Sequence, residues 1–435
     1  RGMNIVSRIP TDRDSSLVMA KVYEEPRKIP YWEQGLISLW FLNSFVPLPL
    51  ETPLRYLMVL WFLWLFALHK EQVIPIMLKA WPLFLLPIFG LISVLWSPYM
   101  GAALRSGALY LLTPFVAVII ITRFDISTIL RCMFFAGVMA IIVCVPFYDT
   151  MPYGGPYPQK NYFAQQMLFV ALLSFMTLLN EKSWPWTRML AALIFPIALI
   201  FMLRAPSATA LVFAAVGIVG LFAVKFVWVA ISKVRHLRTI IFILGASVIL
   251  SGAMIVLNQT NQTYLTDFLG ALGKDTTFTG RTHIWAAGNL AAQEHPIFGL
   301  GLEGFWNPAN GAAQSINEMD FKPYGTKLTF HNAYLEVRVH LGYIGLGLYL
   351  LLWAWCGYRL FRQFFKESSL EMSALLVFGA IVFISTLTES FAWASFNTPL
   401  NLLYLGALAT LSPIRRVFVS RVPVYLNSPT GYAKT

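Results

Sequence analysis

HPIFGLGLEGFW (295–306) and FHNAYLEV (330–337) mark the inside and the exit of a polar stretch, Asn258 to Phe330, in a chain that is otherwise almost continuously apolar. TGRTHIW (279–285) lies in the same stretch, and LGYIGLGL (341–348) follows it as the sequence turns apolar again. The other quiet intervals, 97–106 and 147–160, are far shorter. Reading outward from this island, hydrophobic residues make up 57% of the 435 and charged residues 12%, about half the charged share of an ordinary soluble domain. That excludes a soluble globular enzyme. Apolar runs without period-2 alternation indicate membrane-spanning helices, because lipid offers the backbone no hydrogen-bond partner.

Twelve spans are expected, at 36–50, 54–68, 80–96, 107–122, 129–146, 162–180, 189–203, 208–231, 239–257, 333–357, 373–391 and 398–412. The first two are short and form a helical hairpin around Pro47, Pro49 and Pro53. The expected organisation is a cytoplasmic segment (1–35), spans one to nine (36–257), a large outer loop (258–332), spans ten to twelve (333–412) and a cytoplasmic tail (413–435). Residues 1–30 are polar and lack an apolar core with a cleavage site, so no removable signal peptide is expected. No internal repeat is visible, which disfavours a transporter, and clustering of ionisable groups at one edge rather than mid-membrane disfavours it further.

Net charge is +12, but its distribution argues against nucleic acid. With alternating loops assigned to opposite sides, 23 of the 32 basic residues fall on one side together with both termini, which makes that side cytoplasmic. The nine on the outer side are Arg55, Arg105, Lys160, Arg204, Lys274, Arg281, Lys322, Lys327 and Arg338. Since the inside bias disfavours them, each invites a specific reason. Arg204 ends a span in FMLRAPSATA; a charge there is a functional-site candidate or a snorkelling side chain. Lys160 and Asn161 open span six, where an ammonium and an amide suit an anion or a sugar hydroxyl, and Asn161 alone suits a helix cap.

Arg281 precedes an amphipathic helical piece that Thr282 is placed to cap. A guanidinium beside free helix-end N–H groups suits a diphosphate; pairing with Asp275 or Glu294 is the plainer alternative. GLGLEGFW lacks the strand–turn–helix context of a dinucleotide loop and instead suggests tight turns pressing a re-entrant segment on the bundle. His331 opens span ten beside Asn332. Histidine exchanges a proton near neutrality, so His331 is an acid–base candidate. Glu389, at the outer end of span eleven, could orient His331 or an outer arginine. No histidine pair has zinc spacing, and Cys132, Cys144 and Cys356 lie in apolar runs, so neither a metal site nor a disulfide framework is expected. GxSxG and Walker patterns are absent.

These motifs in this order resemble the O-antigen ligase and Wzy-type polysaccharide polymerase superfamily: TGRTHIW, Pro296–Gly299–Gly301 with Phe305–Trp306, HNAYLEV running into LGYIGLGL, and LRAPSATAL upstream. The resemblance implies an all-α polytopic membrane protein of the glycosyltransferase C type in the bacterial inner membrane. It implies a metal-independent, inverting transfer on the periplasmic face, with no cofactor and with undecaprenyl-diphosphate-linked glycan as donor. Arg204 and Arg281 would hold the diphosphate and His331 would serve the acceptor hydroxyl. Lys160, Asn161, Asn332, Arg338 and Glu389 are the expected substrate-binding residues. The acceptor would be a lipid-linked repeat unit in a polymerase or lipid A–core in a ligase. A chain-length regulator is a further expected partner beside membrane lipids. The wording of TGRTHIW and GLGLEGFW stands closer to exopolysaccharide polymerases. A lipid-linked glycan transporter is the alternative from another class.

Overall fold

The computed structural model describes residues 29–411 apart from 153, 206, 229–230, 232–233, 235, 238–239, 241–280, 367–368 and 391–394. Nearly all of the ninth expected span, Lys274, Asp275, the first part of the polar island and residues 1–28 and 412–435 lie outside the described residues. Among those described, every regular element is helical. They are α1 (Tyr31–Phe45), α2 (Glu51–Lys79), α3 (Pro82–Ile92), α4 (Met100–Arg123), α5 (Ile126–Cys144), α6 (Lys160–Leu179), α7 (Pro185–Arg204), α8 (Ala208–Ala223), α9 (Thr282–Glu294), α10 (Gly311–Met319), α11 (Ala333–Lys366), α12 (Leu370–Ser385) and α13 (Thr398–Leu408).

Seven helices among the described residues are long and apolar enough to cross a membrane, and three shorter apolar ones accompany them. The chain is an integral membrane protein. Helix α6 is its central post: 78% of its most apolar window is buried, against 28% in α2 and in α8. The outer helices turn Leu60, Leu193, Leu203 and Val219 outward, as lipid-facing surfaces do. At the end where α4 finishes, the Arg123 guanidinium binds the buried Glu33 carboxylate of α1 through two bonds, at 2.9 and 2.7 Å.

Two expected boundaries are corrected. The connection between spans two and three, placed at Lys70 to Lys79, is helical; α2 runs through it, bent at His69 (φ −121°, ψ 20°). Its charges mark an exposed helix rather than a loop. Span eleven, expected to reach 391, ends at Ser385, where Thr386 starts a turn, so Glu389 stands beyond the helix.

The loop is built against α11, and the sequence shows how. Gly342 takes φ 63°, ψ −162° inside α11 and breaks it. Regular helix would join the Val339 and His340 carbonyls to the N–H groups of Tyr343 and Ile344. Instead those N–H groups donate to Pro296 and Ile297 at 2.8 and 3.3 Å, and the two carbonyls accept from Leu300 and Gly301 at 3.0 and 2.8 Å. The 296–301 segment is therefore spliced into the helix's hydrogen-bond ladder. Glycine is required for the approach: a Cβ at Gly342 would lie 2.2 Å from the Ile297 oxygen, and one at Gly299 2.5 Å from the His340 carbonyl carbon. Leu302 then docks on the bundle, its N–H donating to Ser93 at 2.9 Å. Behind this splice α9, α10 and the start of α11 close a second small core around Phe305, Trp306 and Phe330.

Candidate functional site

The turn that carries His331 is pinned from both sides. Phe330 is fully buried between Phe305 and Trp306. Its carbonyl accepts from the Trp285 indole at 2.7 Å and its N–H donates to Glu336 at 2.9 Å. Asn332 caps α11, its Oδ1 accepting from the N–H groups of Tyr334 and Leu335 at 3.0 and 3.1 Å. Between these anchors His331 adopts φ 51°. For a residue with a Cβ this left-handed conformation costs on the order of 1–3 kcal/mol and persists only where the surroundings impose it.

The imidazole so presented meets Glu389, which is 7% exposed. His331 Nδ1 lies 2.8 Å from Glu389 Oε2. The other oxygen, Oε1, accepts from Asn161 Nδ2 of α6 at 2.8 Å and from Arg281 Nη2 at 3.0 Å. Arg281 Nη1 donates to the Thr388 carbonyl at 2.6 Å. One carboxylate therefore gathers an amide, a guanidinium and an imidazole from three separate stretches of chain. A carboxylate paired with arginine only accepts, so the proton of this contact sits on His331 Nδ1. In the neutral ring that leaves Nε2 as the lone-pair nitrogen.

Arg281 occupies the N-cap position of α9, which has no side-chain cap; the expected cap by Thr282 is not formed. Its partner is Glu389 rather than Glu294. Asn161 lies inside α6, whose N-cap is Gln159, so its amide serves Glu389 and not the helix end. Arg204 and Lys160 are not among the residues bonded to Glu389. Arg204 donates to the Asp149 carbonyl at 3.1 Å and lies over the Tyr148 ring, 4.9 Å from its centroid. Arg338 reaches Asn289 at 3.3 Å and lies over Tyr343. Neither arginine has a carboxylate partner among the described residues. Among the described residues the Lys160 side chain, beside Asn161, has no ion-pair partner. These cations thus carry no carboxylate partner among the described residues.

The O-antigen ligase family model matches residues 168–350. The chain is also 28% identical over 367 residues to the exopolysaccharide production protein ExoQ of Rhizobium meliloti (strain 1021), covering 81% of this chain and 82% of that protein. Both likenesses point to the O-antigen ligase and Wzy-type polymerase superfamily, which the chain resembles over these residues. The superfamily match spans Arg204, Arg281, His331 and Arg338, while Lys160, Asn161 and Glu389 lie outside it. The fold joins Asn161 and Glu389 to the matched region through direct hydrogen bonds.

Sequence reading missed Glu336. It is 3% exposed, accepts from Phe330 N–H and from the Ser390 hydroxyl, and faces His340. The available signal was a carboxylate five residues after His331 and four before His340, within an apolar helix start. At Glu303, burial alone would raise the carboxyl. The hydrogen bond and charge of Lys327, the Ser106 hydroxyl and the charge of His340 together outweigh it and hold Glu303 below the usual carboxylate range.

Proposed function

We propose that this chain is a member of that superfamily and an inner-membrane glycosyltransferase that moves a glycan from undecaprenyl diphosphate to an acceptor sugar hydroxyl on the periplasmic face. On this reading the bundle crosses the membrane twelve times and both termini are cytoplasmic. Residues 258–332 form the periplasmic loop, with a cytoplasmic segment at 1–35 and a tail at 413–435. The observation that carries the chemistry is the Glu389 clamp, which fixes an imidazole and a guanidinium side by side where α6 begins and α12 has just ended.

The acceptor oxygen attacks the anomeric carbon opposite the phosphate. A glycosidic C–O bond forms with inversion as the C–O bond to phosphate breaks, and the electron pair leaves on undecaprenyl diphosphate. His331 Nε2 takes the acceptor proton, a contribution of about 10²–10⁴ in rate. Arg281, with Arg204 and Lys160 from the bundle, meets the charge that develops on the diphosphate; loss of one preorganised donor of this kind costs about 10²–10³. Asn332, Arg338 and the amide of Asn161 edge the acceptor side. The residues need neither a metal nor another cofactor for these roles.

Polymerisation of surface polysaccharide repeats is the preferred transfer, supported by the name of the ExoQ relative. Ligation to lipid A–core is the second reading, favoured by the description of the family model; a chain-length regulator would act only with the polymerase.

With purified protein in nanodiscs and a lipid-linked glycan, His331→Ala is expected to lower transfer about 10²–10⁴-fold and Arg281→Ala about 10²–10³-fold, both still measurable, while the protein stays monodisperse. Wild-type rates in both would overturn the assignment. Activity is expected to survive EDTA; a loss restored by a divalent ion would overturn the metal-independent mechanism. In a deletion strain, single repeats on lipid A–core identify a polymerase, and a bare core with accumulated lipid-linked polymer identifies a ligase.

A further inference from the structure

Behind the His331–Glu389 pair lies a second carboxylate whose contacts have a pattern of their own. Glu336 Oε2 accepts from the N–H of Phe330 at 2.9 Å and from the hydroxyl of Ser390 at 3.2 Å. Phe330 precedes His331, and Ser390 follows Glu389. One buried oxygen is thus tied to the chain neighbours of both partners, residues that lie far apart in sequence. Its other oxygen, Oε1, lies 3.3 Å from His340 Nε2, and His340 Nδ1 lies 3.1 Å from the Gly301 carbonyl. Glu336, Ser390 and His340 are all nearly fully buried, at 3, 5 and 4% exposure. None of the three side chains hydrogen-bonds to the side chain of Glu389 or His331, so these ties reach the pair through the backbone of its chain neighbours.

The strained conformation of His331 gives this arrangement its purpose. A histidine at φ 51° relaxes unless the residues beside it are held, and Glu336 holds the N-terminal neighbour while Asn332 caps the helix that follows. The backbone beyond Glu389 is held at Ser390 by the same atom. His340 extends the tie to the 295–306 segment through Gly301. We propose that Glu336 is the positioning residue of the transfer reaction. It sets the separation of His331 and Glu389, and through His340 it makes that separation depend on the docked state of the GLGLEG turn. This rests on the reading of His331 as the base.

The test is a double-mutant cycle on purified enzyme in nanodiscs, with kcat and donor KM measured separately. Glu336→Gln keeps the shape but leaves one oxygen where two accepted. It is expected to lower kcat about 10–10²-fold, as small misplacements of reacting groups do, with donor KM unchanged. In the His331→Ala background the same change is expected to cause no further loss, because the group being positioned is gone. Loss in Glu336→Gln that multiplies with that of His331→Ala overturns the positioning role, as does a wild-type kcat in Glu336→Gln. Both of those outcomes leave the base assignment intact. A fully active His331→Ala enzyme removes the base reading itself, and the positioning role with it. If Glu336→Gln does not fold, Ser390→Ala serves instead: it removes one tether, and about a fivefold loss of kcat is expected, again absent without His331.

Discussion

Replacing Glu389 by glutamine tests the site at its centre. The side chain keeps its size, but one acceptor oxygen becomes an NH₂ group. In the native protein Oε1 serves two donors, Asn161 and Arg281, and Oε2 serves one, His331. The amide satisfies most partners by keeping its oxygen toward the two donors and turning its NH₂ toward His331 Nδ1. That contact then requires Nδ1 to accept, which moves the ring proton to Nε2 and removes the lone pair from the nitrogen proposed to take the acceptor proton. An analogous amide substitution behind a catalytic histidine lowers kcat about 10⁴-fold in serine proteases. Here Arg281 and the membrane-end cations still act, so the expected loss is about 10²–10⁴, or about 2.7–5.5 kcal/mol of transition-state stabilisation. Stability should fall as well. The Arg281 side chain is 14% exposed, and stripping a buried ion of its counter-charge costs about 3–5 kcal/mol. The Thr388 carbonyl still accepts from Nη1, which places the cost at the low end. The assay is transfer of a labelled lipid-linked glycan in nanodiscs, with initial rates across donor concentrations and a melting curve on the same sample. Folded Glu389→Gln enzyme with kcat within about twofold of wild type would refute the reasoning.

Two further expectations follow from the loop. Gly342→Ala places a methyl group 2.2 Å from the Ile297 oxygen at a positive φ; strain and overpacking together should cost about 2–5 kcal/mol. Protease sensitivity between residues 295 and 330 should rise before the bundle melts, and unchanged protection would refute the splice. For Glu303, the folded carboxyl lies below its unfolded range, so its stabilisation is fully present above the unfolded value of about 4.3 and is lost as pH falls through the folded value. Glu303→Gln should therefore melt below wild type at pH 7, with the difference closing toward pH 3. Lys327 is largely exposed, which limits the effect to under about 1 kcal/mol. A gap that widens in acid would contradict it.

The helical membrane fold was legible because apolar runs leave few alternatives in lipid. Arg281, His331, Asn161 and Glu389 were legible for a related reason: a polar group at a span's end stands out against such a background. Their meeting on one carboxylate was not, since sequence separates Asn161 from Glu389 by 228 positions. The break at Gly342 was silent because a glycine in LGYIGLGL looks like any other small residue in an apolar helix. Only the arrival of Ile297 against it gives it a function. Charge misled at Lys70 to Lys79, where a solvated helix carries the residues expected of a loop. Glu336 was hidden by its own helix, where a carboxylate at a helix start needs no special reason.

The splice between residues 296–301 and α11 also bears on modularity. Transplanting the large loop between related chains is a natural engineering step. In this chain a graft that ended at Phe330 would carry away the groups that satisfy Val339, His340, Tyr343 and Ile344. Half of α11's midpoint would then be left with bare amides and carbonyls. The heritable unit is the loop together with the first part of the helix it completes, from His295 through Ile344. The loop and the helix that it completes are therefore exchanged together or not at all.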